Sequence, residues 1–303
     1  MKIIFIGTPE ESAKCLEEVS KIFEVIFVYT KEDKIRGRGK SKTFTPVKTA
    51  AINLDIKFST SSPNSDFLKS LDADLIVLCS YGAKLDVDVI NSAKFGAINI
   101  HPSLLPQYRG PSPIITPLLD GCEDTGVSIM KMDEGFDTGP ILAQVKVKIF
   151  PEDNGEMLTY KLFKKGTKLL INTIRKINTG KYSETPQNHS DATFTKIIRK
   201  SDGKMNWNEE AEKIERQIRA YNPWPMAFSF WNNKNLKILK AKTSEHIFEK
   251  PGHVKRTSSN QIIVATKKGS LELHLIQLEG KTPTNIQDFI NGQPQFVESI
   301  LSS

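Results

Sequence analysis

The sequence predicts an α/β chain: a doubly wound, mostly parallel sheet followed by a small β-barrel. Three observations carry this. Short apolar runs rich in β-branched residues, at 2–6, 24–29, 75–79 and 97–100, alternate with helix-patterned stretches, the signature of a parallel sheet covered on both faces. Beyond residue 225 the helical pattern gives way to short strand-like runs between turn residues, as in a small all-β barrel. The chain is 303 residues long, enough for about two domains.

Taken in order, Lys2-Ile3-Ile4-Phe5-Ile6 reads as a buried strand ended by Gly7-Thr8-Pro9. Residues 10–21 follow with helix spacing, placing Ala13, Leu16 and Val19 inward. The runs at 24–29, 75–79 and 97–100 are further central strands. Residues 156–178 read as a Lys-rich helix with Leu158, Leu162, Phe163, Leu169 and Leu170 as its apolar positions. The polar, basic stretch 186–204 reads as a linker. A helix over 209–221 carries Ile214 and Ile218 at i, i+4 and stops at Asn222-Pro223-Trp224-Pro225, because proline lacks the N–H and crowds the preceding turn. Runs at 227–231, 236–241, 261–265 and 271–278 build the barrel. The expected division is a first domain over 1–189, a basic linker over 190–205 and the barrel over 206–303.

Hydrophobic residues make up 38% of the chain and charged residues 25%, which fits a globular protein and argues against disorder. The net charge of +7 is unevenly spread. Residues 31–48 hold seven basic and two acidic side chains, and 161–204 hold eleven and three; the intervening 49–160 hold eight and fifteen. Such segregation points to a polyanion held on part of the surface. Cys15, Cys79 and Cys122 are odd in number and widely spaced, which fits neither a disulfide framework nor a zinc site and agrees with a reducing compartment. No apolar run approaches the roughly 20 residues of a membrane span, and the first residues lack the features of a signal or transit peptide. The expectation is a cytoplasmic monomer with no membrane contact.

Gly39-Lys40-Ser41 resembles the end of a phosphate-binding P-loop, but position 34, where that loop needs its first glycine, is Lys. GxGxxG is absent from the sequence, so neither a nucleoside triphosphate nor a nicotinamide dinucleotide is expected. His189, His246, His253 and His274 lie in the linker or barrel and read as surface or structural. No cluster of metal ligands emerges.

Two segments carry chemistry. In Asn99-Ile100-His101-Pro102-Ser103-Leu104-Leu105-Pro106, alternation along a strand points Asn99 and His101 the same way, at the carboxyl edge where such sheets hold ligands. The plainer reading is a turn cap beside a satisfied histidine. In Met132-Asp133-Glu134-Gly135-Phe136-Asp137-Thr138-Gly139-Pro140, three acids and two glycines make a tight carboxylate loop. By itself this also fits a solvated turn.

Together with Arg109-Gly110, the start Ile4-Phe5-Ile6-Gly7-Thr8-Pro9, Gly37-Arg38-Gly39-Lys40, Thr45-Pro46-Val47-Lys48 and Asn222-Pro223-Trp224-Pro225-Met226, these segments resemble the folate-dependent formyltransferases along nearly the whole chain. The resemblance is closest to the branch that modifies initiator methionyl-tRNA. It implies a Rossmann-like catalytic domain and an OB-like tRNA-binding barrel. It also implies formyl transfer from 10-formyltetrahydrofolate to the α-amino group of methionine, without a metal. Asn99, His101 and Asp137 become the expected catalytic residues. Ser103, Leu104, Leu105, Pro106, Asp133, Gly135, Thr138 and Gly139 become the expected folate contacts, and Arg36, Arg38, Lys40 and Lys42 the expected tRNA arm. Pro102 departs from several family members, which have glycine after the histidine, and removes a backbone donor. Two other readings stay open: a folate-dependent enzyme acting on a small amine (a nucleotide-linked amino sugar or glycinamide ribonucleotide), and a non-catalytic RNA-binding protein.

Overall fold

Residues 1–36, 41–246 and 250–302 are described in the computed structural model. β1 (Lys2–Gly7) is buried from Ile3 onward, and α1 (Glu10–Ser20) returns over it with Ala13, Cys15, Leu16 and Val19 inward. β2 (Glu24–Tyr29) pairs parallel with β1. β3 (Lys34–Arg36) and β4 (Ser41–Thr43) form a separate antiparallel hairpin. α2 (Pro46–Asn53) opens with proline in its first turn; the Thr45 hydroxyl accepts the Lys48 N–H at 3.2 Å and Thr8 O accepts the Val47 N–H at 3.4 Å, which caps its start. β5 (Phe58–Ser59), α3 (Ser65–Ser70), β6 (Leu75–Cys79), α4 (Val87–Ile90) and β7 (Ala97–His101) follow.

Among the described residues, the main sheet runs β5-β2-β1-β6-β7-β8-β9. Its first five strands are parallel, as the doubly wound reading expects. After α5 (Ile115–Asp120), β8 (Asp124–Lys131) and β9 (Ile141–Lys148) add as antiparallel strands. A loop of this length can join them because antiparallel neighbours need no crossover helix. α6 (Gly155–Asn178) follows β9. A Cβ on its Gly166 would lie 3.0 Å from Val127 and 3.2 Å from Ile100, so glycine lets the helix seat closely against β7 and β8.

The residues group into two units, each discontinuous in sequence. The first comprises Met1–Pro113, Asp124–Lys148 and Thr159–Lys196; the second comprises Ile114–Glu123, Ile149–Leu158 and Ile197–Ser303. In the second unit, α7 (Ala211–Ala220) is followed by β10 (Phe228–Trp231), β11 (Lys234–Ser244), β12 (Val254–Arg256), β13 (Ile262–Ala265), β14 (Ser270–Leu278), β15 (Thr284–Asn285) and α8 (Ile286–Gly292). The strands run β10-β11-β14-β13-β12, with β15 on β14. The segment 299–302 closes this curled sheet by bonding to both ends of it. Phe230 and Ser302 exchange backbone bonds of 3.0 Å, while Leu301 N–H reaches Gly252 O at 2.8 Å and Val254 N–H reaches Ser299 O at 2.9 Å. Inside, Trp231 and Phe296 meet edge to face at 5.3 Å, a favoured aromatic geometry.

Candidate active site

The site is built at the carboxyl end of β7. Asn99 and His101 are its third and last residues, two apart and so on one face. Asn99 is half-buried, and among the described residues its side chain makes no hydrogen bond, which leaves its amide available to a ligand. His101 is 3% exposed. Its Nε2 lies 3.0 Å from Tyr108 O. A carbonyl only accepts, so this bond assigns the hydrogen to Nε2 and leaves Nδ1 as the lone-pair nitrogen of the neutral ring. Nδ1 faces Asp137 Oδ1 at 3.6 Å. Burial pushes the His101 pKa below its ordinary value; the Asp137 charge and the Tyr108 bond oppose that shift, and the Arg109 charge adds to it. Burial thus favours the neutral form of the ring, whose Nδ1 is turned toward the carboxylate.

Asp137 sits in the turn between β8 and β9 with a left-handed φ of 56°, uncommon for a residue with a side chain. Its Oδ2 accepts the Gly110 N–H at 2.9 Å. Tyr108-Arg109-Gly110 thus forms one wall of the site: the Tyr108 carbonyl holds the imidazole and the Gly110 N–H holds the carboxylate. Tyr108 has φ 58° and Gly110 φ 110°. The wall is tied down by residues 193–195. The Thr193 carbonyl accepts Arg109 N–H (2.9 Å), Thr195 N–H donates to Arg109 O (2.8 Å), and the Thr193 hydroxyl accepts Tyr108 N–H (2.8 Å). The stretch read as a linker therefore supplies structure to this unit.

The expected folate contacts fall on two loops beside this pair. In the first, Ser103-Leu104-Leu105-Pro106 is fastened from below. Ser128 Oγ donates to Ser103 O (2.7 Å) and accepts Leu105 N–H (3.0 Å), while Gln144 Nε2 reaches Leu105 O and Ser128 Oγ, both at 2.8 Å. With Pro102 unable to donate, Ser103 takes up the turn through its N–H to His101 O (2.9 Å) and its hydroxyl to Gln107 O (2.6 Å). In the second loop, Asp133 accepts the Thr138 hydroxyl at 2.7 and 2.9 Å and the Gly135 N–H at 3.1 Å. A Cβ on Gly135 would fall 1.8 Å from Thr138 Oγ1, and one on Gly139 would fall 1.9 Å from Lys131 O. Both turns therefore require glycine.

Of the expected tRNA arm, Arg38 and Lys40 lie outside the described residues; Arg36 ends β3 and Lys42 is central in β4. The base of that hairpin is anchored: Lys48 Nζ meets Asp33 Oδ2 at 2.5 Å, and the Thr30 and Thr45 hydroxyls meet at 2.8 Å. Among the described residues, no group of three or more His, Cys, Asp or Glu is placed to hold a metal, and no helix is long and apolar enough to cross a membrane.

The residues not anticipated from sequence are Tyr108, Ser128, Gln144 and Gln187. Ser128 had a usable signal, a hydroxyl inside the apolar run Val127–Met130. Gln187, in a polar stretch, had none.

Comparison with known proteins identifies the family. The Formyl transferase family matches residues 1–174, and its C-terminal domain matches residues 197–294. The methionyl-tRNA formyltransferase of Agathobacter rectalis is 38% identical over 299 residues, covering 96% of both chains. That of Lachnospira eligens is 38% identical over 304 residues, with the same coverage. Among solved structures, the sugar 3N-formyl transferase WlaRD, in the presence of dTDP and 5-N-formyl-THF, shares the fold with a TM-score of 0.69 at 21% identity, covering 93% of this chain and 99% of that one. HypX from Aquifex aeolicus, in complex with tetrahydrofolic acid, gives 0.66 at 14% identity, covering 99% of this chain and 48% of that one. These two likenesses are of fold, whereas the relatives near 38% identity extend through both units. The chain belongs to the formyl transferase family, within its methionyl-tRNA formyltransferases.

Proposed function

We propose that this enzyme transfers the formyl group of 10-formyltetrahydrofolate to the α-amino group of methionine on initiator tRNA. The observation that carries the reading is the pair His101 Nδ1 and Asp137 Oδ1, 3.6 Å apart beside the uncommitted Asn99 amide, in a chain similar to methionyl-tRNA formyltransferases through both units.

The amine nitrogen attacks the formyl carbon, whose oxygen becomes an oxyanion. The Asn99 amide donates to that oxygen; a donor of this kind typically lowers a barrier by about 3–4 kcal/mol. The amine proton passes to the His101–Asp137 pair. Protonation at Nδ1 converts a contact between two acceptors into a charge-assisted hydrogen bond and sets the positive charge of the His101 imidazolium against the oxyanion. Collapse of the intermediate breaks the bond from the formyl carbon to N10, which takes the relayed proton as it leaves. Ser103, Leu104, Leu105 and Pro106, with Asp133, Gly135, Thr138 and Gly139, contact the folate. The first 189 residues serve catalysis. Residues 206–303, joined through 190–205, hold tRNA together with Arg36, Arg38, Lys40 and Lys42, whose phosphate contacts make binding weaken with salt.

The test is an acceptor panel. Purified enzyme and 10-formyltetrahydrofolate are offered charged initiator tRNA, charged elongator tRNA, glycinamide ribonucleotide and a nucleotide-linked amino sugar. Formylation confined to the initiator tRNA supports the reading. Formylation of a small amine alone, or of nothing, overturns it.

A further inference from the structure

The strain at Asp137 needs an external restraint, and one residue remote in sequence supplies it. Gln187 is 7% exposed and uses both ends of its amide. Its Nε2 donates to Asp137 O at 2.9 Å and to Gly139 O at 2.7 Å. Its Oε1 accepts Arg109 Nε at 3.1 Å and Nη2 at 2.7 Å. The orientation of the amide follows from its partners. A guanidinium only donates and carbonyls only accept, so the oxygen must face Arg109 and the nitrogen the loop.

These bonds close a ring through the reacting groups. Gln187 holds the Asp137 peptide, the Asp137 carboxylate holds Gly110 N–H, Gly110 is bonded to Arg109, and the Arg109 guanidinium returns to Gln187. Arg109 is 2% exposed, and its Nη2 also meets His189 Nδ1 at 3.1 Å. The bonds of Gln187 end on Asp137 itself and on the residue two beyond it. A shift there rotates the carboxylate relative to His101 Nδ1.

We propose that Gln187 is a positioning residue for formyl transfer: it fixes the left-handed Asp137 peptide so that the carboxylate spans His101 Nδ1 and the Gly110 N–H. The proposal rests on the catalytic reading above.

Gln187→Glu separates positioning from folding. The carboxylate keeps both Arg109 bonds but turns an acceptor toward two carbonyls, so the loop loses its anchor while the buried cation stays paired. With charged initiator tRNA and 10-formyltetrahydrofolate, kcat is expected to fall by about 10- to 100-fold, the range for misplacement of a reacting group by about 1 Å. The KM for charged tRNA should stay within about threefold and the thermal midpoint within about 10 °C. A kcat within about twofold of wild type overturns the proposal, as does a loss of kcat that comes with an equal rise in KM and a collapse of the thermal midpoint. Should the Glu variant fail to fold, Gln187→Asn decides, since it carries the same groups one methylene short; the same split is expected, and unchanged kcat refutes. Wild-type enzyme that formylates no tRNA instead refutes the catalytic reading beneath the proposal, an outcome distinct from a silent Gln187 variant in an active enzyme.

Discussion

Replacing Asp137 by Asn tests the site at its centre. The carbonyl oxygen of Asn still accepts the Gly110 N–H, so the loop keeps that contact. The amide nitrogen then faces His101 Nδ1 as a donor and holds the ring neutral with its basic nitrogen occupied. In the wild type the carboxylate lies 3.6 Å from Nδ1. At an effective dielectric near 20, unit charges at that distance attract by about 4–5 kcal/mol, an attraction that favours the imidazolium. Removing it should lower kcat about 10³-fold, with little change in tRNA affinity or thermal midpoint. The assay is single-turnover formylation of charged initiator tRNA across pH. Wild-type kcat should rise through a pKa below the ordinary histidine value, because burial depresses His101 and, in the proposed mechanism, the neutral ring accepts the amine proton. The variant should lack that limb. A folded Asn variant with kcat within about tenfold of wild type would refute the reasoning.

Stability should carry the same signature. The His101 pKa is lowered in the folded state, so below about pH 6.5 the unfolded chain binds a proton that the folded chain resists. Stability is then lost as pH falls from 6.5 toward the depressed value, and urea midpoints for His101→Gln should drop less over that window; identical slopes would contradict it. Ser128→Ala strands Leu105 N–H and Ser103 O, and should cost about 1–3 kcal/mol in urea unfolding while raising the donor KM. Changing Arg38, Lys40 and Lys42 together to Ala should weaken tRNA use and flatten its salt dependence without altering folate binding, and an unchanged slope would remove this segment from the tRNA interface.

The legible parts of the fold were those where burial leaves a local mark. β1 from Ile3, β6 throughout and β2 over Phe27-Val28-Tyr29 are buried on both faces and read as continuous apolar runs. α7 has Ile214 and Ile218 inward at helical spacing. By contrast, β9 opens with only three apolar residues, Ile141-Leu142-Ala143, before Gln144 and the alternation Val145-Lys146-Val147-Lys148, and β5 has only two residues; neither makes such a run. α2, which starts within the basic stretch 31–48 and runs past it, announces itself only through the Thr45-Pro46 cap. At the site, Asn99 and His101 were readable because their two-residue spacing is local. The bonds from Gln187 to Asp137 and Gly139 cross about fifty positions. A glutamine in a polar stretch looks the same in sequence whether water or a guanidinium surrounds it.

The interleaving of the two units has a practical meaning for recombination. The second unit takes in Ile114–Glu123 and Ile149–Leu158 as well as Ile197–Ser303, and Thr193 and Thr195 brace the Tyr108–Gly110 wall. A chimera spliced at a single junction near residue 190 would import a foreign barrel without its two upstream segments and strip the wall of its brace. Exchanging the second unit for another in this architecture means transplanting three stretches at once, so the seam that looks simplest in sequence is a poor place to cut.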